Sequence, residues 1–249
     1  MHFIIFSILK HCKGLTRSSN TGNNASRESV IVLNLYNFTV KSSQKTTTVN
    51  FGKRMKKIDH LALADYLVRM SNDEELKAHS LAFSLGSIAP DVNPFSYLMG
   101  MRSEKKFHGH NAENSAKHLK KCIFSLMAKG LNSSVSYFRL GIILHYIADS
   151  FTAVHNDFLD VNIRDHLAYE NELHTVLLEK LGSNAVSVTA LPYSPISYLL
   201  ECQREYKAGK HSTDADSSYI IRTCALFLHC ALRYRRSQST ELAYQAVSI

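Results

Sequence analysis

The sequence predicts an all-α protein, a multi-helix bundle built from residues 55–249. Three observations predict it. The chain holds only 10 Gly and 4 Pro in 249 residues, and its abundant Leu, Ala, Lys and Ser favour helix. From Met55 onward the apolar positions recur with a helical period. The breaks between the periodic segments fall on residues that cap or stop helices.

The first element shows the pattern. "MKKIDHLALADYLVRM" places Ile58, Leu61, Ala62, Ala64, Leu67 and Val68 at helical spacing. Helices are expected at about 58–70, 74–85, 112–129, 134–151, 164–181, 194–207 and 214–235, from such spacing. Ser71 to Asp73 offers a cap ahead of Glu74 and Glu75, acids that suit a helix N-terminus. "GSIAPDVNP", Gly86 to Pro94, is expected to leave the helix because of its glycine and two prolines. Gly182 and Gly209 follow two further helices, and "STDAD" (Ser212 to Asp216) starts the last.

Residues 1–54 differ in tone. They are rich in Ser, Thr, Asn and Lys, and "IVLNLYNFTV" (Ile31 to Val40) has strand character without a second strand to pair with. They carry eight of the 29 Lys and Arg and one of the 21 acidic residues, so the leader is +7. Residues 55–249 keep 21 basic and 20 acidic residues, a net charge of +1. The basic balance therefore belongs to the leader, read as a disordered tail or an extension ahead of a start at Met55. The main domain offers no basic track for a nucleic acid. The apolar "FIIFSIL" (Phe3 to Leu9) is short and lacks a basic region before it and a small-residue cleavage site close behind it. No apolar run reaches the roughly 18–20 residues of a transmembrane helix. Five scattered cysteines (Cys12, Cys122, Cys202, Cys224, Cys230) form no CxxC pattern. They read as reduced thiols, and the expected location is the cytoplasm.

The chemistry concentrates in "RLGIILHYIADSFTAVHN", Arg139 to Asn156. His145 and Asp149 are four apart, hence on one helix face, amid Ile142, Ile143, Leu144, Ile147 and Ala148. A buried carboxylate needs compensation. A core hydrogen-bonded pair and a shared ion are both open at this point. The spacing recurs in "DHLAYENEL", with His166 and Glu170, and His155 lies between the two pairs. Two His-x-x-x-carboxylate pairs and a linking His suit a multinuclear zinc site. Asp91, His60 and one of His108 and His110 are further candidates. His79, His118, His174, His211 and His229 are read as non-ligands; His174, four beyond Glu170, is read as a surface residue ahead of a support for a ligand. A di-iron bundle expects Glu-x-x-His instead.

With His60, Asp91, His110, His145, Asp149, His155, His166 and Glu170 in this order, residues 55 to about 232 resemble the zinc-dependent phospholipase C family. The motifs that carry the likeness are "IDHLALADYL", "LGSIAPDVNPF", "GHNAENSAKHL", "YFRLGIILHYIADSFTAVHN" and "DHLAYENEL". The resemblance implies an all-α bundle with two or three zinc ions in a cleft. It would give the first zinc Asp91, His110, His145 and Asp149, and the second His155, His166 and Glu170. The third would take His60, Asp149 as a bridge, and the terminal amine and carbonyl of an N-terminal tryptophan. This chain has no Trp, which leaves a two-metal site as the alternative. The secreted members hold choline with aromatic residues, one directly after the loop aspartate. Here that residue is Val92, so phosphatidylcholine specificity does not carry over.

The implied activity is hydrolysis of a phospholipid or another phosphate ester, with Asp91 as base or as an electrostatic ligand. Two other readings stand beside it. Zinc-dependent single-strand nucleases share this fold and ligand order, and would stack bases on residues such as Phe95, Tyr97 and Phe107. A non-catalytic helical protein could keep zinc for stability alone.

Overall fold

The computed structural model describes residues 57–92, 112–156, 163–183 and 195–247, and among these every regular element is a helix. In chain order they are α1 (Lys57–Ser71), α2 (Glu74–Ala78), α3 (Ser80–Val92), α4 (Ala112–Lys129), α5 (Ser134–Asp149), a 3-10 turn (Ala153–His155), α6 (Ile163–Ser183), α7 (Pro195–Ala208) and α8 (Thr213–Val247). The expected all-α bundle is what forms. The leader, with its strand-like Ile31 to Val40, lies outside the described residues. So do Phe95, Tyr97, Phe107, His108 and His110.

Helix α5 is the axis. Its start is fixed by a capping box: Ser133 Oγ accepts from the Ser136 N–H, and Ser136 Oγ accepts from the Ser133 N–H. Apolar residues then run almost all round it, as in a helix surrounded by others. Leu140, Ile143, Leu144 and Ile147 are buried, and α1, α3, α4 and α8 all pack on α5. The core continues through Leu63, Leu67, Phe83, Leu173, Leu177, Ile220 and Phe227. On α1 the buried face is His60, Leu63, Ala64 and Leu67, whereas Leu61 is only half-buried. That shift of one position turns His60 inward.

Two expectations need correction. The segment 74–85 is two helices, broken at His79, whose backbone leaves the helical region after the short α2. And α3 does not stop at Gly86: it continues through Pro90 to Val92, so Asp91 stands on a helix, not in a loop. Pro90 has no N–H to donate to the Gly86 carbonyl, which costs one intrahelical bond. The packing of α3 on α5, the most extensive helix pair of the fold, offsets it.

Glycine makes that packing close. A Cβ at Gly141 would lie 2.7 Å from Ser87 N, and one at Gly86 would lie 2.9 Å from the Phe138 carbonyl carbon. Both are backbone atoms that cannot step aside. Gly86, read from sequence as a helix breaker, is a contact residue inside a helix. Gly141→Ala is therefore expected to cost about 3 kcal/mol, the upper end for overpacking. A urea midpoint unchanged from the parent's would disprove this contact argument.

Candidate metal centre

The α3–α5 crossing sets Ser87 and Asp91 over His145. The His145 Nδ1 lies 2.8 Å from the Ser87 carbonyl oxygen. A carbonyl only accepts, so Nδ1 carries the proton, and in the neutral ring Nε2 is left with its lone pair. That Nε2 faces Asp149 Oδ2 at 3.1 Å and Asp91 Oδ1 at 3.9 Å. From α1, His60 Nε2 faces the other carboxylate oxygen, Asp149 Oδ1, at 3.3 Å, and Asp91 Oδ2 at 4.0 Å. The two imidazoles stack with ring centroids 4.0 Å apart. All four side chains are buried.

Among the described residues this cluster sets two carboxylates against two imidazoles. Burial alone would lower the pKa of His145, but the carboxylates of Asp149 and Asp91 outweigh it and raise it above the ordinary imidazole value. Burial, and behind it the charge of Asp149, pushes the Cys224 thiol up. Protonating both stacked rings would place two cations at van der Waals distance. A single multivalent cation between the lone pairs and the carboxylates answers the same need without that repulsion.

The donor set fits zinc. His60, His145 and Asp149 each offer a ligand atom, and the three atoms lie within 4.8 Å of one another. Neither ring nitrogen of His60, both buried, has a hydrogen-bond partner among the described residues. Nitrogen and carboxylate oxygen are zinc's usual ligands, and an imidazole held from behind by a carbonyl is the usual support for one. Behind the rings lies a small cavity with apolar walls from Leu63, Ala64, Phe83 and Leu144.

A family described as zinc dependent phospholipase C matches residues 59–234. The chain belongs to that family. No curated protein and no solved structure matches it. Of the eight residues expected to bind metal, the fold brings together four: His60, Asp91, His145 and Asp149. Glu170 is buried on α6, one turn after the His166 position. The backbone of His155 closes the 3-10 turn. The side chains of His155 and His166, and all of His110, lie outside the described residues.

Sequence reasoning ranked one supporting group beside this site too low and missed another. His174, read as a surface residue, is 25 % exposed and makes a short contact through Nδ1 with Oδ1 of the buried Asp59, the neighbour of His60. It lies four residues beyond Glu170, which was the one signal available. Ser87, whose carbonyl orients His145, had none, because a backbone contact leaves no side-chain signature. Its hydroxyl is held by the Ser84 carbonyl at 2.8 Å.

Proposed function

We propose that the chain is a phospholipase C-like phosphodiester hydrolase, with metal held by His60, Asp91, His110, His145, Asp149, His155, His166 and Glu170. The observation that carries this is the buried convergence of His60 and His145 on the two oxygens of Asp149. Asp149, with one oxygen toward each imidazole, would hold metal together with both rings. When bound, zinc supplies a Lewis acid for the phosphoryl oxygens and a lowered pKa for water.

The chain's own residues do the rest. Ser87 and the α3–α5 contact hold His145 in one tautomer. The apolar wall excludes bulk water, which strengthens every charge interaction in the site. Asp91, on the last turn of α3 beside Val92, takes the proton of the attacking water and returns it to the leaving oxygen. A bond forms from the water oxygen to phosphorus, the ester P–O bond breaks, and an alcohol and a phosphomonoester leave. Val92 is 43 % exposed next to Asp91. An aliphatic side chain there gives no π face to a quaternary ammonium, so the substrate class is a phosphate diester, phospholipids included, without choline selectivity.

We assign the activity to residues 55–249, with 1–54 dispensable, and place it in the cytoplasm. Among the described residues no helix is long and apolar enough to cross a membrane. The test is zinc content, then hydrolysis of bis-p-nitrophenyl phosphate, phosphatidylcholine and single-stranded DNA with and without chelator. It is run on the full chain and on one started at Met55. The expected result is two or three zinc ions per chain, chelator-sensitive cleavage of the small diester and phospholipid, and equal rates for both chains. Less than one zinc per chain would sink the site. Full zinc without hydrolysis of any ester would leave the protein a non-catalytic zinc binder.

A further inference from the structure

Asp216 stands in the first turn of α8, wholly buried. Its carboxylate is held by donors from three other parts of the chain. Oδ2 accepts the Ala153 N–H at 2.8 Å and, at close range, the Tyr169 hydroxyl; Oδ1 accepts the Tyr206 hydroxyl at 2.8 Å. The Ala153 N–H also reaches the Tyr169 oxygen, at 3.2 Å, which closes a triangle. Burying a carboxylate is expensive even when it is bonded, and burial pushes Asp216 up to about 7 against the pull of the Ala153 N–H. A core that needed only filling would be served by an apolar residue.

What this carboxylate ties together is specific. Ala153 is the first residue of the 3-10 turn that ends at His155, and Tyr169 directly precedes Glu170. Tyr206 anchors the same group to α7, and Phe151 and Tyr219 stack beside it. One side chain thus fixes a backbone atom two residues from one proposed ligand and a side chain adjacent to another. His60, His145 and Asp149 stand apart from this clamp on α1 and α5, which α3 packs against.

We infer that Asp216 is a positioning residue for the His155–Glu170 half of the metal centre, clamping the 3-10 turn to α6 so that these two ligands share one ion. This rests on the ligand assignment proposed above. The test is zinc stoichiometry of Asp216→Asn beside the parent chain, with the visible spectrum after cobalt substitution. Asparagine keeps the shape and one acceptor but offers an N–H toward a hydroxyl or the Ala153 N–H. The variant should hold one metal equivalent fewer, lose the corresponding cobalt bands, and keep its helical signal in chelator. Tyr169→Phe, which removes one donor and keeps the ring, should weaken the same ion about 10-fold, the size of effect outer partners have on metal affinity. Unchanged stoichiometry and spectrum in both variants would overturn the inference. So would loss of all ions together, which would make Asp216 a general fold residue. If Asp216→Asn does not fold, Tyr169→Phe decides alone. A parent chain without zinc would instead refute the ligand assignment itself.

Discussion

Replacing Asp149 by asparagine is expected to remove the zinc held with His60 and His145 and to lower phosphodiester hydrolysis by about 10³-fold or more, as loss of a charged group acting on the phosphoryl centre does. The shape of the side chain is kept, so the apolar wall around it is not disturbed. The charge is lost, and with it the carboxylate that lies nearer both imidazoles, at 3.3 Å and 3.1 Å against 4.0 Å and 3.9 Å for Asp91. The stability of the variant separates the two readings that the sequence left open. If Asp149 is a core partner of His145 and nothing more, breaking the buried pair costs about 3–5 kcal/mol whether or not metal is present. If it is a zinc ligand, the cost appears only with zinc. The parent gains about 3 kcal/mol from that ion at 100 times its dissociation constant, and the variant loses this gain. In chelator the variant is then at least as stable as the parent, since a buried carboxylate has been removed. Urea unfolding of both proteins with zinc and with chelator measures all four stabilities. A deficit of equal size in both conditions would return Asp149 to the core-pair reading.

The pair at His145 and Asp149 was legible because it is local: four residues on a helix share a face whatever surrounds them. The recurrence at His166 and Glu170, and the ordered motifs that resemble the family, extended it to His60 and Asp91. The helices were legible from their periodicity, and their caps from Asp73 and Ser212. What escaped was set by distant partners. Whether Pro90 ends a helix depends on what α3 packs against, and the deciding contact is with Gly141 and Phe138 on another helix. Asp216 was read as part of an N-terminal cap signal, which local chemistry supports. Its partners Ala153, Tyr169 and Tyr206 come from a turn and two other helices, and no spacing rule connects them. The tie between Asp59 and His174 spans 115 positions. Long-range polar contacts of this kind decide where the ligands stand, and they leave no periodic trace.

Another such contact carries the second large effect: Arg235→Ala is expected to destabilise the fold by about 3–5 kcal/mol, the range for a buried pair that loses one member. Asp73 caps α2 through its Oδ1, which accepts the Leu76 N–H at 2.9 Å. From α8, Arg235 grips the same carboxylate with both Nη atoms, at 3.0 Å and 2.6 Å, and Arg236 adds a third bond at 2.9 Å. Arg235 also donates to the Tyr137 hydroxyl on α5. One carboxylate thereby joins the start of α2 to α8 and α5, far from the metal centre in sequence. Burial would raise the pKa of Asp73, but the bonds from Arg235, Leu76 and Arg236 outweigh it and hold it at about 2, against an ordinary 3.8. A depressed carboxylate pKa stabilises the folded state wherever the group is ionised. Its share, about 2 kcal/mol at 1.36 kcal/mol per unit of pKa, is complete above about pH 4 and disappears as pH falls through about 2. Arg235→Ala should therefore lose most at neutral pH and converge toward the parent in acid. Asp73→Asn, which keeps an acceptor for the Leu76 N–H but removes the charge that Arg235 and Arg236 grip, should match it in size and lose the same acid limb. Zinc content should be unchanged in both, because neither residue touches the cluster. A stability difference that stays constant from pH 7 to pH 2 would show that Arg235 acts through packing and not through the charge of Asp73.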